Sequence, residues 1–96
     1  MNLKEKLKSE ILETTWEPLV THFAKGSTYI LDKDLILEEV GLAMAEDDVA
    51  LIKKWLDHGL LYPPTNEEAT LFAKDNGILF NMLIIEPYVL FQIKSV

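Results

Sequence analysis

Leu3, Leu7 and Ile11 recur every four residues among lysines and glutamates, so the chain opens with a predicted helix bearing one narrow apolar stripe. So thin a seam must dock on a neighbouring surface. Pro18 is tolerated only in the first turn of a helix, so a second helix is expected from Thr15 to Glu17 onward, ending at Gly26. Trp16, Leu19, Val20 and Phe23 form its expected buried face. Ser27 to Leu31, β-branched and aromatic after a glycine stop, reads as a short strand. Asp32-Lys33-Asp34 then turns the chain and offers Asp34 as an N-cap.

Leu37, Val40, Gly41 and Met44 follow the i, i+3, i+4, i+7 template and predict a third helix from Leu35 to Ala45. Glycine costs a helix interior about 1 kcal/mol relative to alanine, so Gly41 is expected where another backbone crosses closely. Glu46-Asp47-Asp48 breaks the pattern with carboxylates suited to cap a fourth helix, whose apolar face is Val49, Ile52, Trp55 and Leu56. His58 and Gly59 end it. Leu60 to Tyr62 is a second short strand, closed by Pro63-Pro64. Thr65 and Glu68 form a capping box for a fifth helix with Ala69, Phe72 and Ala73 inside, terminated by Asp75-Asn76-Gly77. Ile78 to Ile93 reads as one extended apolar segment bent or bulged at Pro87, because proline cannot donate to a central ladder.

These elements predict a single α+β domain over residues 1–96, with four or five short helices and a small antiparallel sheet. A helix, a short strand, two tightly joined helices and a second strand also stand in winged-helix order, which makes a winged-helix-like core the first topology to test.

Composition narrows what such a domain can do. With no cysteine among 96 residues, disulfides, thiolate metal sites and cysteine nucleophiles are excluded. All nine basic residues are lysines against sixteen acids, a net charge of -7. Without arginine, and with this excess of negative charge, strong direct binding to nucleic acid is not expected. Residues 1–33 hold five lysines and five acids, so residues 34–96 carry the whole imbalance. The charged opening residues show no secretory signal, which makes a cytoplasmic location the expectation. The most apolar segment, Ile78 to Ile85, is eight residues long, whereas a membrane-spanning helix needs about twenty, so no membrane partner is expected.

Candidate chemistry is sparse. Glu46, Asp47 and Asp48 present carboxylate oxygens to a hard cation but lack the alternating ligands and glycine of a calcium loop, so helix capping is the favoured role. His22 and His58 lie in different helices and make a site only if the fold joins them. Ser9, Ser27 and Ser95 occupy no nucleophile elbow, and the four glycines form no phosphate loop. No cofactor or metal is implied. Glu86, between Ile85 and Pro87, is either a buried acid with a raised pKa or a group that a proline bend at a sheet edge releases to water; the bend is favoured. Trp16, Trp55 and Tyr88 suit a ligand pocket or an interface, since large aromatics dominate both, and core packing is the favoured role.

Leu35 to Asp48, Trp55-Leu56 and Pro87 to Gln92, with Trp16 and the Phe23-Ala24-Lys25-Gly26 helix end, resemble a bacterial family of small proteins, domain of unknown function 2288. The chain departs from that pattern at Ile36, Glu38 and Tyr88, where the family usually has an aspartate, an apolar residue and a tryptophan. The resemblance implies no activity. A non-enzymatic protein-interaction module is therefore the first functional reading. A regulator on a winged-helix-like fold is the second, and a small-molecule binder or enzyme using a buried Glu86 the third. The thin first seam and the edge of the final strand are features that self-association would cover, so a homodimer is expected.

Overall fold

The computed structural model describes residues 2–75 and 77–94. Its elements run α1 (Leu3–Ser9), β1 (Leu12–Thr14), a 3₁₀ turn (Glu17–Leu19) leading into α2 (Val20–Ala24), β2 (Thr28–Leu31), α3 (Leu37–Ala45), α4 (Val49–Asp57), β3 (Leu61–Tyr62), α5 (Asn66–Lys74), β4 (Phe80–Ile85) and β5 (Tyr88–Ile93). The strands form one sheet in the order β1-β4-β5-β2-β3. Three of its pairings are antiparallel, but β2 runs parallel to β5, so the sheet is mixed where a purely antiparallel one was expected. The class is α+β. The winged-helix order is not what the sheet displays: β4 and β5 fill its centre, and β3, the strand after the two joined helices, is an edge.

Side chains alternate across the strands and so divide the interior in two. Leu7, Leu31, Leu37, Val40, Leu61, Leu83 and Leu90 form the core on the side of α1, α3 and α4. Trp16, Leu19, Ile30, Phe72, Phe80, Val89 and Phe91 form the other, under α2 and α5. Trp16 stands at the centre of that aromatic group, its ring 5.2 to 6.2 Å from those of Phe23, Phe72, Phe80 and Phe91.

Local chemistry sets most element ends. Asn2 accepts from the Glu5 N–H to start α1, and Thr65 with Glu68 makes the expected capping box of α5. The helices α2 and α4 finish in Schellman turns: the Ser27 N–H reaches the His22 carbonyl and the Leu60 N–H that of Trp55, with Gly26 and Gly59 in the left-handed region. The end of α3 is built the same way, with the Asp48 N–H on the Ala43 carbonyl, but Asp47 occupies the left-handed position at φ 53°.

Several expectations need correction. Ile36, not Asp34, precedes α3, because Asp32 closes a turn by accepting from the Asp34 N–H and Leu35 N–H. What approaches Gly41 is a side chain rather than a backbone: a Cβ there would stand 2.6 Å from Leu83 Cδ2. Ile78 to Ile93 is a hairpin, not one bent strand, because Glu86 and a cis Pro87 form its two-residue turn. Of the expected buried faces, Val20 (43% exposed) and Val49 (70%) point outward, and Ala73 is exposed. The strand β1 had no signal in the sequence. Asn76, in the expected stop of α5, lies outside the described residues.

Both features that suggested a dimer find partners within the chain, with Leu3 of the stripe left 42% exposed. The helix α1 docks on α3, with Leu7 in the core and Lys4 bonded to Glu39 at 3.1 Å, and the final strand lies between β4 and β2.

Candidate functional site

The fold scatters most of the sequence candidates. Trp16 is 6% exposed and belongs to the core. Trp55 is half-buried against the aliphatic core. Glu86 is exposed at the hairpin turn, which removes the buried acid on which an enzymatic reading rested. His22 in α2 and His58 after α4 belong to layers on opposite faces of the sheet. The Ser9 and Ser27 hydroxyls donate to the Lys6 and His22 carbonyls, and Ser95 lies outside the described residues. Among the described residues no group of three or more histidines and carboxylates is placed to hold a metal ion. Asp48 caps α4 by accepting from the Leu51 N–H at 3.2 Å, the role its position suggested.

Three depressions merit comparison. The largest, about 430 Å³, lies between the 3₁₀ turn and α5, floored by Trp16 and Phe72. It is roomy enough for a small ligand, since such sites span roughly 300–1,000 Å³. Yet its charged lining residues, Glu17 and Asp75, are exposed, and no buried polar side chain points a ligand into it.

A second, about 230 Å³, lies where the parallel strands β2 and β5 end, beside Tyr62, Glu68, Asp32 and Gln92. Burial, then the hydrogen bond to Glu68 at 2.9 Å and the nearby Glu68 and Asp32 charges, raise the Tyr62 phenol above its ordinary range. Its polar groups other than Lys33 are already occupied. Gln92 Nε2 donates to the Asp32 and Leu35 carbonyls at 2.8 and 2.7 Å, and Glu68 accepts from the Thr65 N–H. They hold the loop before α3 and the start of α5.

The third, about 190 Å³, lies between α4, the end of α3 and the start of β5. Tyr29, Met44, Ile52, Leu56, Leu61 and Tyr88 line it, with Asp47 at its margin. Two of the sequence candidates, Asp47 and Tyr88, thus line one cleft, together with residues that local sequence pattern does not join. The Tyr88 ring stands edge-on to that of Tyr29 at 5.8 Å and remains 42% exposed. Volume distinguishes this cleft from a small-molecule site: it is below the usual range, and it suits an inserted side chain.

Its wall is the anomaly. The helix α4 is amphipathic yet buries no residue, whereas α3, of equal length, buries Leu37, Val40, Gly41 and Ala43. Along its apolar stripe Val49 is 70% and Leu56 41% exposed. Leu12, Val20, Leu71 and Ile84 are also exposed, on separate elements, and of these Val20 lines the groove over Trp16. Among the described residues no helix is long and apolar enough to cross a membrane.

Comparison with known proteins agrees with the fold and adds no activity. The chain is similar to PA1075 from Pseudomonas aeruginosa, determined in solution by NMR, with 29% identity and a TM-score of 0.83. The match covers 98% of this chain and 86% of that one. No curated protein matches. The model of a family of proteins of unknown function, DUF2288, matches residues 2–93, and the chain therefore belongs to that family.

Proposed function

We propose that this domain is a non-enzymatic protein-interaction module whose contact surface is α4 together with the cleft between α4 and Tyr88. The observation that carries this reading is an amphipathic helix with no fully buried residue and with Val49 and Leu56 of its apolar stripe exposed. Leaving Val49 and Leu56 in water forgoes the stabilisation that burial of such side chains supplies, about 1.5–3 kcal/mol each when complete. A bound protein would recover it. Tyrosine at the margin suits that role, because its ring gives contact area at little conformational cost while its hydroxyl stays wet.

Enzymatic readings lack a nucleophile and a buried acid among the described residues. A regulator that reads DNA would present the second of its two joined helices, here α4, which offers Lys53 and Lys54 against Asp48 and Asp57 and no arginine.

A photo-crosslinking residue at Val49, on the full-length protein in its native cells, tests the reading against the same residue at Thr70 on the far face of the sheet. A discrete adduct is expected from position 49 only, lost on Leu56→Asp while the circular dichroism spectrum is kept. Adducts of equal yield at both positions, or none, would reject α4 as the contact surface.

A further inference from the structure

Resting on that reading of α4, we infer that the cleft receives a basic amphipathic helix from a different protein. The mode of recognition follows from the strands nearby. Adding a strand to the sheet needs an open edge. The strand β5 is central, and the neighbouring edge β3 has two residues followed at once by Pro63-Pro64. A partner therefore enters side chains first, and a helix presenting apolar residues at i, i+3 and i+7 matches a shallow cleft running beside another helix. Met44 and Leu56 in the lining can repack around such an anchor.

Charge selects among helices. Asp47 lines the cleft, Glu46 and Asp48 flank it in the chain, and Glu86 stands two residues before Tyr88. No lysine lines it. Of the two lysines on α4, Lys53 is already 3.5 Å from Asp57. A partner with lysine or arginine around its apolar anchors gains attraction from Asp47 and from the carboxylates that adjoin it in the chain. A second copy of this chain brings the same carboxylates and its own net charge of -7 to the contact, so like charge opposes self-association at this face.

The test uses full-length protein and three synthetic helical peptides of about 14 residues, long enough to hold the three anchors. One carries leucine anchors among lysines, one the same leucines among glutamates, and one serines in place of the leucines. Binding is followed by calorimetry and by amide chemical shifts. The lysine peptide is expected to bind at least about tenfold tighter than the glutamate peptide and to lose several-fold in affinity between roughly 0.05 and 0.3 M salt. Its shifts should map to residues 44–61 and 85–90, and Leu56→Asp should abolish binding with the fold retained. Asp47→Asn should weaken the lysine peptide alone.

Equal affinity for lysine and glutamate peptides at these residues would overturn the basic partner and leave α4 standing as a contact surface. Failure of all three peptides at millimolar concentration, or shifts confined to the Trp16 groove, would overturn the inference. A concentration-dependent dimer that Leu56→Asp converts to monomer would replace the basic helix by a second copy.

Discussion

The two faces of the sheet are built from different materials. On the side of α2 and α5, four of the seven buried core residues are aromatic, and the Phe72, Phe80 and Phe91 rings meet edge to face at 5.1 and 5.5 Å. Large rings fill space quickly, so one short helix, a 3₁₀ turn and α5 suffice to close that core. On the other side all seven are aliphatic, six leucines and one valine. There α3 lies close over β4 through Gly41, and with α1 it covers the leucines before α4 is reached. The consequence is a helix held at its margin by half-buried Ile52 and Trp55, with the rest of its apolar stripe in water. On the function proposed above, stability and recognition would thereby be divided: the aromatic face and α3 hold the fold, and α4 carries the contact surface.

The strongest way to break this comparison is to open the aromatic face. Phe80 is fully buried and packs edge to face on two rings, so Phe80→Ala should cost about 3–5 kcal/mol. Urea unfolding followed by Trp16 fluorescence measures it. A loss below about 1 kcal/mol would mean that the two faces are not divided as described.

Gly41→Leu challenges the aliphatic face where it is tightest. The added side chain starts 2.6 Å from Leu83 Cδ2, and Leu83 is itself only 1% exposed, so overpacking should cost about 1–3 kcal/mol. Gly41→Ala should cost less, because its gain in helix propensity, about 1 kcal/mol, offsets part of the clash. Denaturant midpoints of the two variants check the order.

That glycine was legible from sequence as a close approach, and its neighbour was not. Helical period, capping boxes and glycine stops are local, and they marked α3, α4, α5 and the ends at Gly26 and Gly59 correctly. The three residues of β1 show no alternation of their own and exist as a strand because Leu12 to Thr14 pair with Met82 to Phe80, far along the chain. The hairpin turn at Glu86-Pro87 lacks the glycine or asparagine that signals most two-residue turns. The candidate site was half legible: Asp47 and Tyr88 were named, but Tyr29, Met44 and Leu61 join them only through the parallel pairing of β2 with β5 and the docking of α3. An apolar stripe was read as a buried one. Periodicity reports which residues share a face, and it is silent on whether anything covers that face.

A gentler substitution tests whether α4 is held as loosely as this implies. Leu56 is 41% exposed, so Leu56→Ala should cost less than about 1 kcal/mol, far below Phe80→Ala. Thermal unfolding of the two variants side by side gives the ratio. A cost above about 2 kcal/mol would place Leu56 in the core and remove the distinction between α4 and the rest of the aliphatic layer.

The smallest expected effect has the opposite sign. Three helices end in Schellman turns, and those of α2 and α4 place glycine at the left-handed residue, whereas α3 places Asp47 there at φ 53°. A Cβ in that region meets the following carbonyl oxygen, so Asp47→Gly should stabilise the fold by about 0.5–1 kcal/mol, a shift of a few degrees in midpoint. The glycine that would settle the turn is used at two equivalent positions and not at this one, the one that opens on the cleft. At this position the carboxylate is the group that the proposed basic partner would meet. The same variant should therefore raise the thermal midpoint and weaken the lysine peptide together. If Asp47→Gly leaves both unchanged, the turn carries no strain and the carboxylate no binding role.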